Sequence, residues 1–199
     1  MKDQILAQFS ENIDRVKNLI QIYETHLAGD GSGRRAHQKT DVLRAATVFL
    51  HATTEDLLRS LAYWKLPGAN STVLDQFPLV GNGSALKHSL GTLALHRGRS
   101  IDELIKDSVD AHLERSNFNS STEVARLLSQ IALDVVPVQS MFAELDELMA
   151  RRHQIVHRAD IDTGSEQSHT KVRIIGVPTV NRWIKNVEEF AAALMAQLQ

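Results

Sequence analysis

The chain has 199 residues, 43% apolar and 23% charged, which suits one domain whose core needs no covalent staples. It contains no cysteine, which excludes disulfides, thiolate catalysis and cysteine zinc sites. Its 22 basic and 24 acidic residues leave a formal net charge of −2, which argues against a surface coated in positive charge for long-range nucleic-acid capture but leaves a local basic site open.

In chain order, Ile5, Phe9, Ile13, Val16, Ile20, Tyr23 and Leu27 recur at spacings of three and four and predict a long amphipathic helix over 3–27. Gly29-Asp30-Gly31-Ser32-Gly33 breaks it, and Arg34, Arg35, His37 and Lys39 follow as a basic cluster, read as solvated loop. Thr40 or Asp41 is an N-cap for a second helix carrying Leu43, Ala46, Leu50, Leu57, Leu61 and Trp64, closed by Pro67-Gly68. Residues 67–84 have no helical period and read as an irregular connection. Ser100 with Glu103, and Ser120 with Glu123, fit capping boxes opening helices over roughly 101–115 and 121–133. A third long helix is expected over 139–158, then a polar loop, a short extended piece over 171–177, and a final helix from a Thr179 cap to 198. The fold class is therefore all-α: a four-helix bundle forming a single domain over 1–199, with the 67–133 connection and helical insertion between the second and third long helices. The N-terminus is charged and amphipathic, unlike a signal peptide, and no apolar run reaches the roughly 20 residues that span a bilayer, so a cytoplasmic protein without membrane partners is expected.

The third long helix breaks its own pattern. Met141, Leu145, Leu148 and Ile155 form its stripe, and the position between Leu148 and Ile155 is Arg152. Burying an unpaired guanidinium is costly, so Arg152 is paired, snorkels from the bundle end, or faces a cleft or subunit interface. His153 and His157 are four residues apart on one side of the helix, but His153-Gln154-Ile155-Val156-His157 lacks the glutamate of a protease-type zinc helix, and no metal ligand set is assigned. Arg152 and His157 lie about 7.5 Å and 140° apart on a straight helix. They meet at one substrate only if the helix distorts or a second subunit completes the site.

Arg152-His153-Gln154-Ile155-Val156-His157 resembles the signature of the HEPN superfamily: arginine, a polar residue, three or more residues, then histidine. The longer stretch from Arg151 to Asp160, with Ile155-Val156-His157 followed by Arg158, Ala159 and Asp160, looks like the RiboL-PSP type of HEPN domain. The segments from His51 to Arg59, and from Phe118-Asn119 to Glu123-Val124, look like that type too, so the likeness spans nearly the whole chain. It implies a bundle that dimerises around a shared cleft and a metal-independent endoribonuclease without cofactor. It also implies a setting as toxin or phage-defence effector, with an antitoxin protein as partner. Residue by residue, Arg152 is the expected phosphate clamp, His157 the acid/base and His153 its supporting neighbour. Arg151, Arg158 and Asp160 are weaker candidates for substrate contact. The alternative is a non-catalytic HEPN module that binds a nucleotide or partner protein.

Overall fold

The computed structural model describes residues 1–29, 37–162 and 172–198. The glycine breaker at 30–33, the basic pair Arg34 and Arg35, and most of the polar loop after Asp160 lie outside them.

Helix α1 (Lys2–Ile22) continues into one π-helical turn, Tyr23–Leu27, and buries Ile5, Phe9, Ile13, Val16, Ile20 and Tyr23. Helix α2 (His37–Lys65) starts ahead of the expected Thr40 or Asp41 cap and ends in a 3-10 turn, Leu66–Gly68, where proline cannot continue the helical bonding. The insertion holds α3 (Ser71–Leu74), α4 (Leu90–Ala94), α5 (Ile101–Leu113) and α6 (Ser121–Gln130). The stretch read as irregular thus contains one short helix, capped by the Asn70 side chain. At α5 both halves of the capping box form between Ser100 and Glu103. At α6 only half does: Ser120 accepts from the Glu123 amide, while the Glu123 carboxylate accepts from Asn119 N–H at 2.7 Å. Helix α6 stops before 133 because Ala132 turns left-handed, with φ of 56°.

A 3-10 stretch, Val136–Met141, carries Pro137 and delays the third long helix, α7, to Phe142–Arg158. Helix α8 (Val177–Ala196) begins ahead of Thr179, because Pro178, with φ preset and no N–H to lose, fits a first turn. No strand forms over 172–177; Val172 makes an isolated antiparallel bridge with Ile161, and Lys171 lies outside the described residues.

Helix α1 lies along α2; α2 also packs on α7 and α8, and α8 on α1 and α7. These four enclose a core centred on Trp183, Tyr23, Phe190, Leu50, Leu57 and Leu145. Helix α5 packs on α2 and α6 on α7, so the insertion caps one flank and adds Leu113, Val124 and Leu128 to the same core. Among the described residues, regular structure is helical throughout, and no helix is long and apolar enough to cross a membrane.

Candidate functional site

Helix α2 carries a second stripe beside its leucines. Thr40, Arg44, Thr47, His51 and Thr54 recur at spacings of four and three, and all are buried. A continuous polar row inside a bundle needs partners. Thr47 and Thr54 find theirs locally, donating to the carbonyls of Leu43 and Leu50 at 2.9 and 3.0 Å. Arg44 instead reaches Asp160 at the end of α7, and His51 faces Glu55 one turn on.

Helix α7 ends in two successive left-handed residues, Ala159 (φ 47°) and Asp160 (φ 59°), whose amides both donate to the Gln154 carbonyl. Neither is a glycine, and L-residues pay roughly 1–2 kcal/mol for this conformation. The turn drives Asp160 back inside, where it is 0% exposed. Its Oδ2 accepts from Arg44 Nε at 2.7 Å and Arg151 Nη2 at 2.8 Å. The same arginines hold the returning chain: Arg44 Nη2 donates to the Arg173 carbonyl at 2.7 Å, and Arg151 Nη2 to that of Ile174 at 3.1 Å. Burial pulls the Arg151 guanidinium down from its ordinary range; Asp160 opposes that, and the like charges of Arg173 and Arg44 reinforce it. Arg151 and Asp160, expected among the substrate contacts, are instead walled in, Arg151 being 9% exposed, and they tie α2, α7 and the segment before α8 together.

The rest of the motif is arranged differently. Arg152 is half-buried, and His153, His157 and Arg158 are exposed. Among the described residues none of the four has a side-chain hydrogen bond or ion pair, in contrast to the buried Arg151–Asp160 pair beside them. The His153 and His157 rings lie side by side, centroids 4.5 Å apart and tilted by 45°. Helix α7 is regular through Arg158, so the distortion that would have swung Arg152 and His157 together is absent.

His51 lies behind Arg152. It is 1% exposed, its Nδ1 is 3.7 Å from Glu55 Oε2, and its Nε2 has no hydrogen-bond partner among the described residues. Burial lowers its pKa from the ordinary 6.5 and Arg152 adds to that, while Glu55 and the Phe118 backbone work against it. Glu55 Oε1 also accepts from Phe118 N–H at 3.3 Å, and Arg59 donates to the carbonyls of Leu113 and Ser116 with its guanidinium over the Phe118 ring. The segments 51–59 and 118–123, distant in sequence, thus form one wall next to α7.

Comparison with family models, curated proteins and solved structures finds no match to this chain. Sequence reasoning overlooked Arg44, His51's burial and Arg173. The four-three spacing of the polar row on α2 was a readable signal; nothing local marked Arg173, whose importance comes from where the chain returns.

Proposed function

We propose that this protein is a metal-independent endoribonuclease of HEPN type, with Arg152 as phosphate clamp and His157 as acid/base. The observation that carries the reading is the cluster Arg152, His153, His157 and Arg158 at the end of α7: two guanidiniums and two adjoining imidazoles with no side-chain hydrogen bond or ion pair among the described residues. A free arginine fork suits phosphate oxygens and stabilises charge as it grows on them. Imidazole takes and gives protons near neutral pH.

In the proposed reaction an imidazole accepts the proton of the RNA 2′-hydroxyl, and that oxygen bonds to phosphorus. The bond from phosphorus to the 5′-oxygen breaks, and an imidazolium returns a proton to that leaving oxygen. The products are a 2′,3′-cyclic phosphate and a 5′-hydroxyl. His153, beside His157, supports it, and Arg158 adds positive charge at the rim. Because Arg152 and His157 diverge by about 140° on a regular helix, two α7 ends in a homodimer are proposed to line one cleft. The HEPN resemblance further proposes work as a toxin or defence effector held by an antitoxin.

Incubation of the purified protein with mixed RNAs in EDTA tests this. Cleavage leaving cyclic phosphate ends, and lost in Arg152→Ala and His157→Ala, supports the nuclease. RNA left intact at high protein concentration overturns it, and RNA bound but uncut points to the non-catalytic module.

A further inference from the structure

The insertion leaves two adjoining cavities beside α5. The first, about 290 Å³, lies between the segment after α3, the end of α5 and α6, and its lining includes Phe77, His112, Ser116, Asn117, Glu123 and Arg126. The second, about 350 Å³, shares Gln76 and His112 with the first and adds Arg115. His112 thus stands where the two meet. The Phe77 and His112 rings both border the first cavity and meet edge to face, centroids 4.7 Å apart. Arg115 and Arg126 are exposed, each lines one of the cavities, and neither has a side-chain hydrogen bond or ion pair among the described residues. Burial holds the His112 pKa below the ordinary 6.5, and the charges of Arg115 and Arg126 push it the same way. Glu123 is the one carboxylate on either lining, and its Oε2 accepts from Asn119 N–H at 2.7 Å. Glu114, next to Arg115 in sequence, lines neither cavity and forms no ion pair among the described residues. Two guanidiniums therefore flank one imidazole, and an anion between them would relieve their repulsion.

We infer that these cavities bind an aromatic phosphate monoester, its phosphate held by Arg115 and Arg126 and its ring against Phe77 and His112. Arginine forks match phosphate oxygens. Two of them suit the nearly double charge of a phosphate monoester better than the single charge of a carboxylate. Aromatic side chains receive planar rings by stacking or edge contact. Pockets for small organic ligands start at about 300 Å³, so the adjoining pair has room for a ring and a phosphate together. Neither lining includes a residue of α7, so the site is separate from the proposed nuclease centre and stands whether or not that proposal does.

His112 reports on the site directly, through its ring-proton resonance in the full-length protein, assigned by the loss of that signal in His112→Gln. Phenyl phosphate or 5′-AMP, titrated at constant ionic strength, should move the resonance along a saturating curve with a Kd of about 1 mM or tighter. The His112 pKa should rise at saturation, because the phosphate offsets the two arginines. Inorganic phosphate, which lacks the ring, and phenol, which lacks the anion, should each bind about tenfold more weakly or worse. Arg115→Ala and Arg126→Ala, at exposed side chains, should each weaken binding about tenfold, while Arg152→Ala should leave the His112 titration unchanged. Tighter binding of 5′-AMP than of phenyl phosphate identifies a nucleotide as the source of the ring and phosphate, and the reverse order identifies a simple aryl phosphate. Failure of both to saturate by about 20 mM on this millimolar scale, inorganic phosphate binding as tightly as either, or saturation unaltered in both arginine variants overturns the inference.

Discussion

Arg151 and Arg152 are adjacent and chemically identical, yet the bundle uses them in opposite ways. Arg151 is sealed against Asp160, whereas Arg152 has no side-chain hydrogen bond or ion pair among the described residues. Removing one member of a buried ion pair strands the others, at a cost of about 3–5 kcal/mol. Asp160→Ala should therefore lower the unfolding free energy by that amount in urea titrations. Arg152→Ala should leave the urea midpoint nearly unchanged while RNA cleavage drops by about 10²–10³, and His157→Ala should cost about 10²–10⁴. A large midpoint loss in Arg152→Ala makes that arginine structural instead. His51 adds a pH signature. Its pKa in the fold lies below the ordinary 6.5 because it is buried. As pH falls through about that value the unfolded chain gains a proton that the folded chain resists, so the unfolded state is favoured. Stability contributed at neutral pH is thus lost on acidification. Urea midpoints measured at pH 7.5 and 5.5 should converge in His51→Gln relative to the parent; an equal drop in both proteins removes His51 from this account.

Among the elements, the end of α7 decides where every candidate side chain goes. Its strained turn at Ala159 and Asp160 sends the carboxylate inward and the returning chain across Arg44 and Arg151. Glycine tolerates φ near +50° without the side-chain clash, but costs more entropy on folding. The balance predicts that Ala159→Gly raises stability by about 0.5–1 kcal/mol, read as a higher urea midpoint with unchanged slope; a lower midpoint shows that the turn is not strained as argued. The helices themselves were largely legible. Periodicity in α1 marked the buried residues almost one for one, because that helix presents a single apolar face to the core, whereas α8 buries a broader arc that includes Ile184, Asn186, Ala191 and Met195. On α7 the stripe placed Arg152 among core positions, and the helix is in fact covered over a broader arc, by α2 on one side and α8 on the other, which buries Arg151. Periodicity reports a face and not the partner across from it. The ion pair of Arg44 with Asp160, 116 residues apart in sequence, was therefore unreadable. So was the wall built by Glu55 and Phe118.

At the scale of the whole molecule, the bundle must survive a charged end without losing its centre. Leu148 sits in that centre, about 1% exposed, and Leu148→Asp should unfold the protein, since an unpaired carboxylate there is far costlier than a lost leucine contact. The proposed dimer makes a sharper demand. If the shared cleft holds two sites, each taking Arg152 from one protomer and His157 from the other, then mixing Arg152→Ala with His157→Ala protein should rebuild activity. A heterodimer of the two has one site with both residues intact and one with neither. Random exchange makes half of the dimers mixed, so roughly a quarter of all sites become competent. RNA cleavage should return to about that fraction of the parent rate after subunit exchange, although each variant alone is inactive. A site contained within one protomer predicts no recovery at any mixing ratio. Exchange itself is followed by mass spectrometry on isotope-labelled protomers, so absent activity with mixed dimers present counts directly against a shared cleft. Because α7 runs unbroken through Arg158, a nuclease in which Arg152 and His157 act on one phosphate depends on that second copy.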